Sequence, residues 1–449
     1  MTNRDLMNWS TSKIGELCEL INGRAFKSHE WSKEGLPIIR IQNLNNSKAS
    51  FNYFNGEISD RHQVSNGDLL FAWSGTPGTS FGAHLWLGEA AALNQHIFKI
   101  NFNEKLIDKR FFRYAINQTL DELISGAHGG VGLRHVTKGK FEEAVVSFPA
   151  FAEQKIIADK LDALLAKVET IKSRLEYVLL KLKHLRQSIL TDAVSGRLMG
   201  DVSRSWTTVK LIDVVQEKPR NGRSPKSVQY ETPFKNLTLS STTSGRFIDG
   251  HFKYVDLDIN ESSYLWVKDG DILIQRANTY DYVGVSALYR GPDCQYVYPD
   301  LMMKCTPNDL VLGEFLHYVL LSDTVRMYFR DNATGTSGNM PKINQKVVSE
   351  VTFQLPSIND QAEIVHRVGQ LFTYADSIEK KVSAALSRTN SLTQSILATA
   401  FSGELTEQWR KENLELISGD NSADMLLSKI QLERDEKKFS KKTHTRVKG

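Results

Sequence analysis

Residues 149–198 read PAFAEQKIIADKLDALLAKVETIKSRLEYVLLKLKHLRQSILTDAVSGRL, and a related stretch follows 207 positions later at residues 356–405. The two stretches align without a gap, and 15 of the 50 paired residues are identical. Ordinary residue usage would produce about three identities by chance. The densest shared block is Gln187-Ser188-Ile189-Leu190, which returns as Gln394-Ser395-Ile396-Leu397. Such a duplication, separated by dissimilar sequence, predicts a symmetric frame that carries two different domains.

Both stretches have the heptad pattern of a coiled coil. In the first, ten apolar residues alternate at spacings of four and three, and in the second nine of the ten matching positions are apolar, with Thr389 as the exception. Apolar residues sustained at a and d over several heptads favour a coiled-coil stripe. An amphipathic helix on an ordinary globular core is the alternative, but it leaves the shared register unexplained. We therefore predict that the two helices bury their stripes against each other within one chain. The predicted seam consists of Ile157, Leu161, Leu164, Val168, Ile171, Leu175, Val178, Leu182, Leu185, Ile189, Ile364, Val368, Leu371, Ile378, Val382, Leu392 and Ile396.

Proline and glycine mark the boundaries of both helices. Each helix follows a strand-like run that ends before a proline, Pro149 or Pro356, because the residue before proline is pushed toward extended geometry. Ser195-Gly196 and Ser402-Gly403 supply the glycine expected at a helix C-terminus. The predicted organisation is a first domain over residues 1–148, a helix over 149–200, a second domain over 201–355, a helix over 356–405, and a C-terminal extension with a basic, flexible tail over 406–449.

The two domains outside the helices are predicted to be distant relatives with an α+β fold. Val64-Ser65-Asn66-Gly67-Asp68-Leu69-Leu70 resembles Val267-Lys268-Asp269-Gly270-Asp271-Ile272-Leu273, and the Asn-Gly and Asp-Gly pairs mark turns before strands. Strand-like runs mix with helical stretches around Phe111 to Leu123 and Glu314 to Phe329. Elsewhere the two domains diverge freely, as two different specificities on one scaffold would require.

Composition narrows the class of protein further. The 449 residues are 41% hydrophobic and 24% charged, and no apolar run approaches the roughly eighteen residues of a membrane span. Met1 to Trp9 has no apolar segment of the secretory type. Cys18, Cys294 and Cys305 lack C-x-x-C spacing, so neither a disulfide framework nor a metal site is predicted. We expect a cytoplasmic protein without membrane contact, and its net charge of +4 is by itself weak support for nucleic-acid binding.

The order of variable domain, helix, variable domain, helix resembles the specificity (S) subunit of Type I restriction–modification systems. The stretches Glu153-Gln154-Lys155-Ile156-Ile157-Ala158, Leu392-Thr393-Gln394-Ser395-Ile396-Leu397-Ala398 and Ser402-Gly403-Glu404-Leu405-Thr406-Glu407-Gln408-Trp409-Arg410 resemble the enterobacterial IA subgroup in particular. The resemblance covers essentially the whole chain. It is specific in the helices, and in the variable domains it is specific only for the scaffold motifs.

This resemblance implies a DNA-reading adaptor with approximate two-fold symmetry. Each variable domain would be a target recognition domain for one half of a bipartite, asymmetric site in double-stranded DNA. The two antiparallel helices would set the spacer between the half-sites and dock two modification (M) subunits, and restriction (R) subunits would join the full complex. No cofactor is expected on this chain, because S-adenosylmethionine, ATP and Mg belong to the partner subunits in this family.

The residues themselves also predict no catalysis. The sequence has no Asn-Pro-Pro-aromatic motif to hold an extruded adenine, no G-x-x-x-x-G-K-[ST] loop and no G-x-G-x-x-G turn for phosphates. Two alternatives stay open. One is a stand-alone DNA-binding regulator without methyltransferase partners, and the other is a single-chain methyltransferase, which would bind S-adenosylmethionine itself.

Candidate DNA contacts lie in polar, glycine-punctuated, basic loops. Arginine reads guanine, asparagine reads adenine, and lysine, serine and threonine position phosphates. Segment 134–140 pairs with segment 341–347 at the same offset of 207, so we expect equivalent places for them. Any single candidate is better explained as a solvated surface residue, but as groups they favour a DNA-binding face. The candidates are Arg24, Lys27, Ser74, Thr76, His128, Arg134, His135 and Lys138 in the first domain, and Arg220, Asn221, Arg223, Arg276, Asn278, Tyr280, Thr336, Asn339 and Lys342 in the second.

Overall fold

The computed structural model divides the chain into two compact units, Met1–Lys172 with Ser387–Gly449, and Ser173–Leu386. Each unit holds one α+β domain and a part of both long helices, so its limits fall inside the helices rather than at the predicted domain boundaries. The structure describes residues 8–46, 49–75, 80–120, 134–200, 206–335 and 340–446, without the side chains of 75, 134–135 and 437–446.

The first domain combines two four-stranded sheets with short helices. Its ends meet where Ser10–Lys13 pairs antiparallel with Val145–Phe148. One sheet is antiparallel throughout, and the other contains a parallel pair, Leu36–Ile39 with Ala91–Leu93. The strand order of the antiparallel sheet is Glu19–Asn22, Ile97–Asn101, Leu69–Ala72, Gly82–Leu85. The strand order of the mixed sheet is Asn52–Phe54, Leu36–Ile39, Ala91–Leu93, Gln63–Val64. A further two-stranded pair joins Ser74–Gly75 to Arg134–His135. The helices are Ile14–Leu17, Ile41–Asn45, Lys109–Gln118 and Lys138–Glu143, with 3-10 turns at Ser28–Glu30 and Asp60–His62.

The second domain repeats the antiparallel sheet in the same order. Its ends meet where Thr207–Lys210 pairs with Thr352–Leu355. The sheet order is Arg220–Asn221, Met302–Cys305, Ile272–Gln275, Ser286–Leu288, and a separate pair joins Lys235–Leu237 to Phe252–Tyr254. The helices are Gly313–Leu321, Asp323–Asp331 and Gln345–Ser349, with 3-10 turns at Leu211–Val214 and Leu239–Ser241. The predicted pair of related α+β domains is confirmed.

The two long helices, Phe151–Val194 and Ile358–Phe401, each contain 44 residues. Each is followed by a glycine with positive φ, 80° at Gly196 and 81° at Gly403, which is the conformation expected of a glycine at a helix C-terminus. A left-handed backbone conformation is open to glycine because it has no Cβ. At ~1.5 Å per residue each helix is about 66 Å long.

A repeated glutamine fastens each domain to the start of a long helix. Gln154 is fully buried, and its side chain donates to the Pro149 carbonyl at 2.9 Å and accepts from the Asp108 amide at 2.9 Å. Gln361 does the same with the Pro356 carbonyl at 2.9 Å and the Leu312 amide at 2.7 Å. Buried polar groups are costly unless they are hydrogen-bonded. This pairing is the structural reason that both repeats carry glutamine here.

Within each unit the helix segments run antiparallel, as predicted. In the second unit, Arg186 pairs with Asp376 at 2.6 Å and Glu379 at 2.7 Å, whereas Arg367 donates to the Leu198 carbonyl at 2.7 Å. Moving forward along one helix thus means moving backward along the other. In the first unit, Lys160 near the start of the first helix donates to the Leu405 carbonyl at 2.8 Å, just beyond the end of the second.

One row of the predicted seam is mostly buried, whereas the other is buried at Ile157 and Ile364 and exposed at four other positions. The buried row includes Leu161, Val168, Leu182, Ile189, Val368 and Val382. In the other row Ile171 is 47% and Leu185 46% exposed, and Leu371 and Leu392 are similarly exposed. The helices also pack Ala193 and Ala400 into the domain cores. The predicted stripe is therefore buried only in part.

The C-terminal extension packs on the first domain. It contains the 3-10 turns Glu404–Thr406, Leu414–Leu416 and Gly419–Asn421 and the helices Glu407–Glu412 and Ala423–Arg446. Leu426 and Ile430 join the first core, and Asn103 donates to Glu433 at 2.8 Å. The tail that we predicted to be flexible is therefore helical as far as Arg446. No helix in the described part of the chain is long and apolar enough to cross a membrane.

Candidate nucleic-acid interface

An Asn-Gly-Arg turn occupies the same place in both domains. Asn22-Gly23-Arg24 and Asn221-Gly222-Arg223 each follow the edge strand of the antiparallel sheet. A Cβ on Gly23 would lie 2.0 Å from the Asn94 carbonyl oxygen, and one on Gly222 would lie 2.0 Å from that of Tyr298. Only glycine allows the two backbone segments to come so close. Both turns therefore present an arginine from a fixed backbone.

The two arginines have different surroundings. The Arg24 guanidinium lies 4.9 Å from the Phe26 ring centroid and 4.6 Å from that of Phe54, and it pairs with Glu30. Arg223 is exposed to solvent. Cation–π contact and ion pairing hold Arg24 in place, whereas Arg223 is free to approach a phosphate or a base. Lys27, beside the first turn, is also exposed.

In the second domain two of the predicted segments meet at residues 300–301, and a third pairs with one of them. The Arg276 amide donates to the Leu301 carbonyl at 2.8 Å, and its guanidinium donates to the Asp300 carbonyl at 3.4 Å. Ser224, next to Arg223, hydrogen-bonds the Asp300 carboxylate. The Arg276 carbonyl accepts from the Ile343 amide at 2.9 Å, beside Lys342. Arg223, Arg276 and Lys342 are thus brought together, although 119 positions separate the first from the last.

Other candidates in the second domain have internal partners. The Arg220 guanidinium lies 4.0 Å from the Tyr264 ring centroid and 3.0 Å from Glu217. The Asn278 side chain donates to Gln275 at 2.6 Å and accepts from the Thr279 amide at 2.7 Å. The Asn221 side-chain oxygen is buried and has no hydrogen-bond partner among the described residues. Asn278 is consequently engaged on both sides, which leaves Tyr280 as the exposed candidate of this segment.

In the first domain the predicted segments meet through backbone pairing. Ser74 is buried, and its strand pairs with Arg134–His135, whose side chains lie outside the described residues. The Lys138 ammonium donates to the Leu20 carbonyl at 3.1 Å. Candidates at Thr76, His128, Thr336 and Asn339 also lie outside the described residues.

The offset of 207 correctly pairs the segments that precede the long helices. Thr137 caps the helix Lys138–Glu143, and its hydroxyl accepts from the Lys140 amide at 3.4 Å. Asn344 lies 207 positions after Thr137. It caps the helix Gln345–Ser349, and its side-chain oxygen accepts from the Val347 amide at 2.9 Å. Short oxygen-bearing side chains are preferred at helix N-caps. The two segments are structurally equivalent.

Sequence reasoning missed one residue of this surface and one buried residue beneath it. Tyr282 is exposed beside Tyr280, and the only sequence signal was the alternation Tyr280-Asp281-Tyr282 in a polar turn. Arg326 is buried beneath that turn, and nothing local in the sequence connects the two. The described residues contain no group of three or more His, Cys, Asp or Glu side chains placed to hold a metal ion. The described part of this surface offers cations and aromatic rings, which suit nucleic-acid binding.

Comparison with known proteins agrees with this geometry. The family described as "Type I restriction modification DNA specificity domain" matches residues 7–179 and 203–388. The chain is 33% identical to the EcoBI specificity subunit of Escherichia coli, over 95% of this chain and 92% of that protein. It is also 33% identical to the StySPI specificity subunit of Salmonella potsdam, over 95% of each chain.

A solved structure shows the same fold. It is described as the structural basis of complex assembly and conformational transition of the type I R-M system, and it matches with a TM-score of 0.67 at 17% identity. The match covers 88% of this chain and 97% of that one. Family match and full-length similarity together lead to one conclusion: the chain belongs to the family of Type I restriction–modification specificity subunits.

Proposed function

We propose that this chain directs a Type I restriction–modification complex to a bipartite DNA site, with each domain reading one half-site. The observation that carries the proposal is the duplicated scaffold with divergent loops. The antiparallel sheet has the same strand order in both domains, and both have the same Asn-Gly-Arg turn, yet the side chains around the two arginines differ. A shared scaffold with different loops is how one fold supports two specificities.

The long helices support the second part of the proposal, in which they set the spacer and dock two M subunits. Their length is sufficient to separate two reading domains along a duplex. The exposed apolar row at Ile171, Leu185, Leu371 and Leu392, with Tyr177 and Tyr374, leaves apolar surface for protein partners. R subunits would then join the complex of S and M subunits.

This chain is a non-catalytic adaptor, as its family membership shows. In the proposed complex, methyl transfer with S-adenosylmethionine belongs to the M subunits, and ATP- and Mg-dependent cleavage belongs to the R subunits. The complex would work in the cytoplasm. A stand-alone regulator is not favoured, since the relatives match over nearly the whole chain.

Exchange of the first domain tests half-site modularity. Residues 1–148 would be replaced by the first domain of another family member, the complex co-expressed with its M subunit, and the methylated motif read by methylome sequencing. We expect one half-site to change and the other, with the spacer, to remain. A change in both halves would contradict the modular model.

Two further measurements test the helices. Insertion of four residues into a long helix adds about 6 Å, which at ~3.4 Å per base pair should lengthen the spacer by one or two base pairs. Altered half-sites with an unaltered spacer would refute the proposal that the helices set the spacer. Light scattering of the purified complex should give one S and two M chains, whereas an S chain that binds DNA without M would support the regulator.

A further inference from the structure

A tight turn in the second domain presents two aromatic side chains to solvent. Residues 279–283 follow Arg276 and Asn278, and the Thr279 carbonyl accepts from the Tyr282 amide at 3.0 Å and from the Val283 amide at 2.9 Å. Tyr280 is 57% and Tyr282 42% exposed, whereas Val283 is fully buried. Large exposed aromatic residues on a hydrogen-bonded turn are arranged for contact with something outside the domain.

A buried arginine holds this turn from below. Arg326, on the helix Asp323–Asp331, donates to the Val283 carbonyl at 2.5 Å and to the Asp281 carbonyl at 2.8 Å. Burial lowers the pKa of Arg326 to about 10, so the guanidinium remains charged at neutral pH. A buried cation bonded to neutral carbonyls is costly to the fold. The buried Arg326 is therefore found where its two hydrogen bonds fix the conformation of the turn.

The other end of the turn is anchored by amides. Gln275 is fully buried, and its side-chain nitrogen donates to Thr242 at 2.9 Å and Thr243 at 3.0 Å. Its side-chain oxygen accepts from Asn278, which in turn accepts from the Thr279 amide at 2.7 Å. Both ends of the turn are therefore fixed before any ligand binds, which lowers the entropy lost on binding.

We propose that residues 279–283 are a preorganised base-reading turn, that Tyr280 and Tyr282 contact base edges, and that Arg326 is its positioning residue. The proposal rests on the proposed function and names one reading element of the second domain. The rings offer apolar contact for thymine methyl groups, and each hydroxyl can donate or accept a hydrogen bond. Arg276 and Lys342, on the adjoining segments, are suited to the phosphates on either side.

The first experiment removes the two rings together. Tyr280→Ala with Tyr282→Ala would be compared with Tyr230→Ala, a matched control that removes a similarly exposed tyrosine of the same domain. Each S–M complex would select from a duplex library randomised over the site. We expect the double variant to lose about tenfold in discrimination at one or two positions of one half-site, whereas the other half-site and the control stay unchanged.

The outcomes separate the two proposals. If the wild-type complex selects no bipartite motif, the proposed function fails. If it selects one and the double variant selects the same motif with the same discrimination, the base-reading turn is refuted. A control variant that relaxes the same positions as strongly as the double variant would also overturn the assignment.

Arg326→Lys and Arg326→Met test the positioning role. Lysine keeps the charge but lacks the forked donor that reaches both carbonyls. We expect both variants to lose about tenfold in the affinity ratio of target over random duplex, with unchanged salt dependence, because no phosphate contact is removed. Amide exchange at Tyr282 and Val283 should accelerate. If Arg326→Lys melts at lower temperature but keeps the wild-type ratio and exchange rates, the residue is structural only and its positioning role is wrong.

Discussion

The two domains share an ion pair on their scaffold, but they bury it to different depths. In the first domain Lys99 lies 2.7 Å from Asp68, and these side chains are 23% and 25% exposed. In the second, Lys304 lies 3.2 Å from Asp271, with exposures of 8% and 1%. Both aspartates also accept a turn amide, from Ser65 at 2.7 Å and from Lys268 at 2.8 Å. The duplication preserved the turn and its charge pair, and divergence changed their access to water.

The junctions between domain and long helix also differ in how deeply a carboxylate is buried. Glu153 is buried and accepts from Trp9 at 2.9 Å, Thr406 at 2.6 Å and Arg410 at 2.7 Å. Asp360, its counterpart in the repeat, is partly exposed, and the Trp206 indole nitrogen has no hydrogen-bond partner among the described residues. The first unit therefore depends on the C-terminal extension to neutralise a buried carboxylate, and the second unit does not.

The largest expected effect comes from breaking the first junction. Arg410→Met leaves the Glu153 carboxylate buried without its counter-charge, which should cost the first unit about 3–5 kcal/mol of unfolding free energy. The matched change in the second unit, Asp360→Asn, should cost less than about 0.5 kcal/mol. Calorimetric unfolding of the full chain measures both. Equal costs would show that the junctions are equivalent after all.

The shared ion pair gives the next effect. Lys304→Met should destabilise the second domain by about 3 kcal/mol, because it strands the buried Asp271. Lys99→Met should cost about 1 kcal/mol or less, since water reaches Asp68. Chemical denaturation followed by circular dichroism would compare the two. A larger loss of stability in Lys99→Met than in Lys304→Met would contradict the expectation that the more deeply buried pair matters more.

The two rows of the helix seam give a third test, which should have the same result in both units. Leu182→Ala removes a buried side chain and should cost about 2–3 kcal/mol. Leu185→Ala, on the exposed row of the same helix, should change stability by about 0.5 kcal/mol or less. Leu161→Ala and Ile171→Ala repeat the test in the first unit. If thermal unfolding showed that Leu185→Ala lowers stability as much as Leu182→Ala, the difference between the buried and the exposed row would be contradicted.

The smallest expected difference between the two units is the stability that the second unit loses in acid through His317. Burial lowers the pKa of His317 to about 4 from its ordinary 6.5, so in this pH range the unfolded chain takes up a proton that the folded chain does not. Its contribution is therefore fully present above pH 6.5 and is lost as pH falls toward 4. The second unit should lose about 2 kcal/mol between pH 6.5 and about pH 5 from this group alone. His317→Gln should remove that slope, and an unchanged slope would exclude His317 as its source.

The candidate surface was predictable in part. Polar loops with glycine pointed to Arg223, Arg276 and Lys342, which the fold does bring together. The same reasoning proposed Asn278 as a base reader, yet its amide is bonded to Gln275 and Thr279. Composition shows which groups are available in a loop. It does not show which of them the domain uses internally.

By itself the sequence determined the two helices, their glycine ends, the pairing of segments 134–140 and 341–347, and the repeated turns before strands. These features depend on heptad spacing, proline, glycine and hydrogen bonds between residues a few positions apart. Only the tertiary structure decided which seam row is buried, and that Arg410 neutralises Glu153 across 257 positions. The physical reason is that burial and charge pairing depend on which distant surfaces meet, and a local pattern contains no information about its partner.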